Sequence, residues 1–551
     1  MVNVDTTLEQ INGYMRKPLT INQLRDSLSR LGFDLESDDP NALKIDITAE
    51  RPDMISPAGI ARVLNAYLGY TQGFSSLHVK EGNYHIHVDS SVLPVRPYTA
   101  AFVVRNIHLT QEKLDELIWV QEKLHETFAR QRKKGAIGIY PLNKIKWPIT
   151  FTGEHPEKIV FPPLGSEKPL SGLAILHEHP TGKKYAPLLH NMPIFPVFRD
   201  AKKEVLSMPP IINSQHVGAV SIDDQDLFVE VSGHYWPTLS ILTDILAHVF
   251  ADMKGDIYSV QVHFPNETTP RITPELKMDS LPLEISLVNR TLGTVFTSEQ
   301  TASLLTRMGY TITKQNSSQL VVSFPQFRAD VLHPLDIVDD VARAYGFDNL
   351  QPIPVELYTQ GGVLPQTQLN DDIRSCITGL GFHEVMSWHL TSHEHHFTTF
   401  EREHSPHVRL GVVKEQSLTM VRNMLYPETL RALLSNRSAT QPFKLFELDQ
   451  IVDIHENTDT GTITHYKLCL ILGHAAASFT EMKSYVDALS RFLGEKPVFT
   501  ETKLSGFIDG RTAHVKMGKF NGFLGETHPR VLARLGIPFP LVVFECYLSE
   551  G

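Results

Sequence analysis

The chain has 551 residues, of which 42% are hydrophobic and 21% charged, and its formal net charge is −11. That length suits about three or four globular domains, and the negative charge argues against a general nucleic-acid coat. The cysteines Cys376, Cys469 and Cys546 are isolated, so we expect buried thiols in a reducing compartment. No stretch approaches the ~20 apolar residues of a membrane helix, and the polar start lacks a signal-peptide core. We therefore expect a cytoplasmic protein without membrane contact.

Residues 1–78 are predicted to form a small helix-strand module. Thr20 and Gln23 have the T-x-x-Q spacing of a capping box, and leucines follow at helical spacing. LKIDIT alternates as a half-buried strand does, and RPDMISPAGIARVLNAYLGY begins a further helix near Pro57. The module contains no catalytic cluster, which favours a docking or scaffold role.

Residues 79–272 are predicted to form a larger α/β region, in which GAIGIY and LAILHEHP are expected strands. Its first helix ends in a basic cluster, which is typical of a solvated helix end but also suits a phosphate backbone. The cluster comprises Arg130, Arg132, Lys133 and Lys134. Both interpretations remain open.

The strand LFVEVSG is the most informative part of this region. Its alternation places Phe228, Glu230 and Ser232 on one face, so a carboxyl and a hydroxyl group share a partly apolar surface. Upstream, Asn213 and Ser214 lie on a turn that follows two prolines. A binding pocket and an ordinary exposed strand face explain this pattern equally well.

Residues 273–358 are predicted to repeat the first module. The stretch RADVLHPLDIVDDVARAYGF matches RPDMISPAGIARVLNAYLGY at a constant offset, since 328 − 51 and 346 − 69 both give 277. Arg-x-Asp occurs in both copies, whereas the second copy adds further carboxylates around its helix. The acidic residues of the stretch RADVLHPLDIVDDVARAYGF are Asp330, Asp336, Asp339 and Asp340.

Two interpretations of these aspartates compete. An acidic helix start suits the helix dipole, and Arg343 is spaced to pair with Asp339 or Asp340. Alternatively, carboxylates on one helix face provide the oxygen ligands that Mg²⁺ prefers. The spacing alone does not decide between them.

Residues 359–551 are predicted to form the last domain. An amphipathic helix, LNDDIRSCITGLGF, is followed by long strands such as FKLFELDQIV, TITHYKLCLILG and LVVFECYL. A Pro/Gly-rich linker, PIPVELYTQGGVLPQ, precedes it. We expect an antiparallel sheet with helices on one side.

Taken together and in order, these motifs resemble the β subunit of phenylalanyl-tRNA synthetases of the archaeal/eukaryotic type. The resemblance rests on RPDMISPAGIARVLNAYLGY, GAIGIY, VLSMPPIINS with LFVEVSG, FRADVLHPLDIVDDVARAYGFDNL, RNMLYPETLRALLSNRS, FKLFELDQIV and LGETHPRVL. It implies an α+β multidomain fold: duplicated small modules, an α/β editing domain and a class II synthetase-like antiparallel core without catalytic motifs.

The resemblance also implies function and partners. The chain would pair with an α subunit in an (αβ)₂ tetramer that joins phenylalanine to tRNA(Phe) using ATP and Mg²⁺. The α subunit would carry the chemistry, because the tail GFLGETHPRVLARLG lacks the G-x-G-x-x-R pattern of an active class II site. No residue of this chain is then catalytic for aminoacylation. The anticodon-binding extension of bacterial relatives is expected to be absent.

The resemblance assigns site residues as well. Asp330, Asp336, Asp339 and Asp340 match the family's acidic magnesium motif in spacing. The middle region resembles the family's editing module, which hydrolyses mischarged Tyr-tRNA. Glu230 would accept the substrate phenol, Ser232 would line the pocket, and Asn213 and Ser214 would position the ester or a water. The strand continues as Gly-His-Tyr where the family usually has Gly-Thr-Asp.

Two functions of other classes remain as alternatives. The middle domain alone could act as a freestanding aminoacyl-tRNA deacylase, although the complete downstream core argues otherwise. The repeated modules could belong to a nucleic-acid-binding scaffold protein, although the net charge of −11 counts against it.

Overall fold

The computed structural model describes residues 2–37, 39–74, 76–352, 354, 357–413, 415, 417–436 and 438–548. Its contacts divide the chain into two compact units, residues 1–355 and 356–551, each with helices and sheets. The fold is therefore mixed α/β with more than one domain. Within the described ranges, no helix has the length and apolar character needed to cross a membrane. Residues 353, 355 and 356 of the predicted linker, and residue 437 of RNMLYPETLRALLSNRS, fall outside these ranges.

The first unit begins with a three-stranded module. Its elements are β1 (Val2–Thr6), α1 (Leu8–Tyr14), α2 (Ile21–Leu31), β2 (Asp34–Ser37), β3 (Leu43–Ile47) and α3 (Pro57–Tyr67). The strands pair antiparallel in the order β1-β3-β2. At the start of α2, the side chain of Thr20 accepts from the backbone N–H of Gln23, and the Gln23 side chain accepts from that of Thr20. The capping box predicted from the sequence is therefore confirmed.

The middle region is built on one large sheet. Its strands are β4 (His85–Val88), β5 (Tyr98–Arg105), β6 (Gly135–Pro141), β7 (Ile149–Glu154), β8 (Val160–Phe161), β9 (Leu170–Ser171), β10 (Phe195–Arg199), β11 (Val205–Met208), β12 (Ile212–Asn213), β13 (Leu227–Gly233), β14 (Asp256–His263) and β15 (Arg271–Thr273). Its helices are α4 (Gln111–Glu126), α5 (Gly172–Glu178), α6 (Pro180–Tyr185), α7 (Gln215–Gly218) and α8 (Trp236–Asp252). The sheet order is β12-β11-β10-β7-β4-β14-β5-β13-β6, with β15 paired to β14 and a separate β8-β9 pair.

One predicted strand of this region is wrong. LAILHEHP forms most of α5 and reaches the first residue of α6. The Ser171 hydroxyl accepts from the N–H of Ala174 and so caps α5, while Pro180 occupies the first turn of α6. These capping residues decide the conformation, because a short apolar run suits either a helix or a strand.

A second three-stranded module follows. Its elements are β16 (Met278–Glu284), α9 (Ile285–Leu292), α10 (Ser298–Arg307), β17 (Thr311–Gln315), β18 (Gln319–Pro325) and α11 (Pro334–Tyr345). The sheet order β16-β18-β17 corresponds to β1-β3-β2, and the start of α11 lies 334 − 57 = 277 residues after the start of α3. The two modules bury apolar side chains in one continuous core, in which Leu28 and Leu64 belong to the first module and Leu305 and Val338 to the second.

The second unit is organised around a seven-stranded sheet. Its strands are β19 (His383–Glu384), β20 (Leu390–Thr391), β21 (Met420–Val421), β22 (Phe443–Ile454), β23 (Thr462–Gly473), β24 (Pro497–Glu501), β25 (Phe507–Met517), β26 (Phe520–Thr527) and β27 (Leu541–Tyr547). Its helices are α12 (Pro365–Gly379), α13 (Tyr426–Ser435), α14 (Phe479–Phe492) and α15 (Pro529–Leu535). The order is β19-β22-β23-β27-β26-β25-β24, and β20 pairs with β21. Every pairing in the seven-stranded sheet is antiparallel except β19 with β22.

Helices cover both faces of this sheet, so the expectation of helices on one side is wrong. Leu468 and Leu470 of β23 pack in the core that includes α12 and α14, whereas Cys469 and Ile471 pack in the core that includes α13 and α15. The run LCLILG has no polar position, as is typical of a strand buried on both faces.

Candidate functional site

A cavity of about 530 Å³ lies in the middle region, beside the edge strand β6. Its walls come from α4, α6, β6 and the segment joining β11 to β12, and they are mainly apolar. The apolar lining includes Leu114, Leu117, Ile118, Ile137, Ile139, Pro209, Ile211, Ile212 and Val220. A size of this order and a mainly apolar lining with few polar groups are typical of small-molecule sites.

β13 carries Glu230 to this cavity. Alternation along the strand directs Leu227 and Val229 into the core that includes α4 and α8, whereas Phe228 lies in the core on the opposite face. The whole strand is buried, which excludes the alternative of an exposed strand face. Opposite Glu230, β6 has Gly138, where a Cβ atom would stand 2.5 Å from Glu230 Oε1. The glycine therefore leaves the space that the carboxyl group occupies.

At the polar end of the cavity, three lining residues surround the hydroxyl of the fully buried Tyr140: Glu230, Ser207 and Asn213. This hydroxyl lies 3.1 Å from Glu230 Oε1, 2.8 Å from Ser207 Oγ and 3.4 Å from Asn213 Oδ1. Glu230 is only 2% exposed, and its Oε2 has no hydrogen-bond partner among the described residues. Burial raises the pKa of Glu230 to about 8, against the opposing effects of the Tyr140 hydrogen bond and the Arg96 charge. The carboxyl group is therefore mainly protonated at neutral pH.

The structure brings two of the four predicted pocket residues to the cavity, Glu230 and Asn213. Ser232 is on the same face of β13 but does not line the cavity: its hydroxyl accepts from Arg96 Nε at 3.0 Å and is fully buried. Ser214 is also buried and does not line the cavity; its backbone N–H donates to the Leu206 carbonyl at 2.8 Å. The lining role of Ser232 therefore stays a prediction that this arrangement does not support, because its hydroxyl binds Arg96 instead of facing the cavity.

His125 lines the cavity and was not among the predicted site residues. Its Nε2 accepts from the backbone N–H of Ile137 at 2.8 Å, so Nδ1 carries the proton and donates to Glu122 Oε1 at 3.2 Å. Burial lowers the pKa of His125 to about 4, so the ring is neutral. Because both ring nitrogens are already hydrogen-bonded, neither is available to take a proton from a water molecule. His125 therefore stabilises the cavity wall and is not placed as a general base.

Arg132 also lines the cavity, and the sequence had flagged it only as part of the basic cluster. Its guanidinium donates to the carbonyls of Pro210 and Ile211 and to Glu122 Oε1, and it lies 4.2 Å from the centre of the Tyr185 ring. α4 ends at residue 126, and residues 130–132 then adopt positive φ angles of 49°, 54° and 64°. No glycine marks this turn, so it could not be predicted from the sequence.

The four aspartates of the second module all line another cavity, of about 230 Å³. Two of them are neutralised by one buried arginine. Arg328 makes three hydrogen bonds to Asp330, the shortest at 2.7 Å, and one of 2.6 Å to Asp340 Oδ2. The Tyr310 hydroxyl donates to the same Asp340 oxygen at 2.7 Å. The Arg328 charge and these hydrogen bonds outweigh burial and hold the pKa of Asp340 below its usual value.

The other two aspartates are engaged at the start of α11. Asp336 Oδ2 accepts from the backbone N–H groups of Leu332 and His333 at 2.8 and 2.7 Å, which completes a capping box. Asp339, half-exposed, pairs with Arg343 at 2.7 Å. The interpretation of these aspartates as an acidic helix start predicted that Arg343 would pair with Asp339 or Asp340, and the structure has the pair with Asp339.

Carboxylate oxygens are the right donors for Mg²⁺, but these residues do not converge as ligands. Among the described residues, no group of three histidine, cysteine, aspartate or glutamate side chains is placed to hold a metal ion. Protein cations and backbone amides satisfy the four carboxylates instead. The magnesium site at Asp330, Asp336, Asp339 and Asp340 therefore stays a prediction that this arrangement does not support.

Comparison with known proteins places these features in a family context. The family model described as phenylalanyl tRNA synthetase beta chain CLM domain matches residues 352–548, and the model described as tRNA synthetase B5 domain matches residues 281–347. The second match covers the module that carries the four aspartates.

Curated relatives extend the similarity along the chain. The phenylalanine–tRNA ligase beta subunit of Methanocella arvoryzae is 33% identical over 96% of this chain and 96% of its own length. The corresponding protein of Thermococcus sibiricus is 32% identical over 90% of this chain and 89% of its own length. The crystal structure of an N-terminal fragment of the phenylalanyl-tRNA synthetase β-subunit from Pyrococcus horikoshii has a TM-score of 0.60 at 28% identity, covering 62% of this chain and 99% of that chain.

Proposed function

This chain belongs to the family of phenylalanine–tRNA ligase β subunits, and on that premise we propose that its middle region removes tyrosine wrongly attached to tRNA(Phe). As a family member, the chain is a subunit of an aminoacyl-tRNA ligase. The 530 Å³ cavity is the proposed hydrolytic site. Glu230 and Asn213 are its proposed polar residues.

The observation that carries this proposal is the unpaired Oε2 of Glu230 at the polar end of an apolar cavity. A tyrosyl side chain offers an aromatic ring for the apolar walls and a hydroxyl group for the buried carboxyl group. Phenylalanine lacks the hydroxyl and would leave that carboxyl group buried and unpaired. A site built to bind a substrate hydroxyl rejects the analogue without it by roughly 10⁴–10⁵.

The lining residues support hydrolysis by water rather than a covalent intermediate. The described lining contains no cysteine, and its serine, Ser207, lies 2.8 Å from the Tyr140 hydroxyl. In the proposed step, a water oxygen attacks the ester carbonyl and the ribose oxygen leaves, while the water's protons pass to the ribose oxygen and to solvent. Glu230 holds the phenol and the apolar walls orient the ring. The Asn213 amide lies at the same polar end, 3.4 Å from the Tyr140 hydroxyl, so it is placed beside the phenol rather than beside the ester.

We propose further that the chain acts with an α subunit in an (αβ)₂ tetramer that joins phenylalanine to tRNA(Phe). The relatives carry the name beta subunit, which implies an α subunit. Aminoacylation, with ATP and its Mg²⁺, then belongs to that partner. The tail of this chain is consistent with this division: Arg530, which follows β26, is 72% exposed along its side chain and lies 3.5 Å from Glu401.

The two three-stranded modules are, we propose, copies of one structural unit. Each contains a capped helix, and Gly32 and Gly309 occupy corresponding positions with φ angles of 85° and 82°. Their common core packs them together beside the hydrolytic region.

The decisive experiment compares hydrolysis of Tyr-tRNA(Phe) and Phe-tRNA(Phe) by the ligase assembled with its α subunit. Glu230→Ala should abolish most Tyr-tRNA hydrolysis, because the phenol loses its partner, while phenylalanine charging stays unchanged. Glu126→Ala, which removes an exposed carboxylate at the end of α4, is the matched control. Unchanged Tyr-tRNA hydrolysis in Glu230→Ala would refute the assignment.

A further inference from the structure

A second cavity, of about 250 Å³, adjoins the proposed hydrolytic site. Arg132 and Pro210 line both cavities, so the two spaces share a wall. The second cavity is also lined by Arg96, Lys133 and His234, and none of its described lining residues is acidic. In a chain with a net charge of −11, a cavity lined by basic residues and no acidic ones requires an explanation.

Arg96 is the unusual member of this set. It is 2% exposed, and its guanidinium donates to the hydroxyl and the carbonyl oxygen of Ser232, which are neutral acceptors. No carboxylate of the described chain forms an ion pair with it, and Glu230, whose charge would favour it, is mainly protonated. Burial, reinforced by the neighbouring Arg132, lowers the pKa of Arg96 to about 10, so the group is still charged at neutral pH. A buried charge without a counter-charge is costly, which suggests that an anionic ligand completes the site.

The other basic residues of the second cavity differ in the charge that they contribute. Lys133 is exposed at the cavity, while Arg132 is already paired with Glu122. Burial and the nearby Arg96 charge lower the pKa of His234, so its ring is neutral and adds hydrogen-bonding capacity rather than charge. Arg96 and Lys133 thus provide two cations that no carboxylate in the cavity lining offsets. Arginine and lysine in such a pair are well suited to a phosphate group.

We propose that this second cavity binds a phosphate ester, namely the phosphodiester of the 3′-terminal nucleotide of tRNA. The inference rests on the proposed function, because the tyrosyl group would occupy the adjoining 530 Å³ cavity at the same time. In an aminoacyl nucleotide, a single ribose separates the ester from the 5′-phosphate. The shared wall of Arg132 and Pro210 matches that short separation.

The test measures binding to the assembled ligase of two non-hydrolysable probes. Both are 3′-tyrosylamino-3′-deoxyadenosine, one with a 5′-methylphosphate and one with a free 5′-hydroxyl. Wild-type protein should bind the phosphate probe more tightly by roughly tenfold, the contribution of one charge-assisted hydrogen bond. Lys133→Gln should remove most of that preference. Lys134→Gln, which makes the same charge change one residue away and outside the cavity lining, should leave it intact.

Three results would overturn the inference: equal binding of both probes by the wild type, an unchanged preference in Lys133→Gln, or competition by AMP as strong as that of the phosphate probe, which would point to a free nucleotide. Arg96→Gln provides a second variant, and its preference should also fall. A clear phosphate preference in a ligase that does not hydrolyse Tyr-tRNA would support the phosphate site while refuting the proposed editing function. If neither probe binds, both are refuted.

Discussion

Glu230 carries a carboxyl group that the protein keeps protonated at neutral pH, since burial raises its pKa to about 8. A protonated carboxyl group can donate to a phenol oxygen and accept from a phenol hydroxyl, so it suits tyrosine in either orientation. Alternation along β13 was enough to predict that Glu230 shares a face with Phe228. It could not predict that Ser232, on that same face, binds Arg96 instead, because Arg96 is distant in the sequence.

The raised pKa of Glu230 predicts how stability depends on pH. Between about 4.5, the ordinary value for a glutamate, and about 8, the folded protein retains a proton that the unfolded chain has released. The wild type should therefore lose stability relative to Glu230→Gln as the pH rises through this window. Denaturant midpoints of both proteins across that range measure the difference, in which the effects of other titrating groups cancel. A difference that does not change with pH would show that Glu230 ionises normally.

The four aspartates of the second module allow a test of Mg²⁺ binding by substitution of their side chains. Because the four carboxylates are satisfied by arginines and backbone amides, the isolated chain should hold no stoichiometric Mg²⁺ after dialysis against micromolar magnesium. The double variant Asp336→Asn/Asp339→Asn should have the same metal content, measured by elemental analysis. One tightly held Mg²⁺ in the wild type that is lost in the double variant would instead establish the magnesium site.

Among the secondary-structure elements, capping residues predicted the helices more reliably than the spacing of apolar residues did. The capping box at Thr20 was predicted from the sequence and is present in the structure, and Thr297 forms the corresponding capping box of α10. The strand predicted for LAILHEHP is wrong because the apolar run is too short to show a period. Ser171 and Pro180 instead specify the starts of two helices. The turn at residues 130–132, which places Arg132, depends on tertiary contacts and has no sequence signal.

The matching caps of α2 and α10 give a prediction for each module. Thr20→Ala and Thr297→Ala should each lower the free energy of unfolding by about 1 kcal/mol, because each removes the acceptor for one backbone N–H at an exposed helix start. Hydrogen exchange in the first turn of each helix should rise correspondingly. Thr20→Ser and Thr297→Ser keep the hydroxyl group and should retain most of the protection. Loss of protection in the serine variants as well would show that the hydroxyl group is not what holds the helix start.

For the whole molecule, the proposed function divides two activities between different chains. The partner would form and transfer the activated amino acid, and this chain would remove the wrong product. The order of the motifs in the sequence predicted the family. The relatives confirm it, since the similarity to the protein of Methanocella arvoryzae extends over 96% of the chain. The sequence could not predict the volume of the first cavity, the unpaired Glu230 oxygen or the second cavity with its basic lining, because all three depend on how distant segments pack.

Tyrosine-dependent AMP formation by the assembled ligase tests this division of labour most directly. With tyrosine, ATP and tRNA(Phe), the wild type should form AMP continuously without accumulating Tyr-tRNA, because each mischarged product is hydrolysed and charged again. Glu230→Ala should accumulate Tyr-tRNA and stop forming AMP once the tRNA is charged, and this chain alone should form none. Continuous AMP formation by the isolated chain, or equal Tyr-tRNA accumulation in the wild type and Glu230→Ala, would contradict the account.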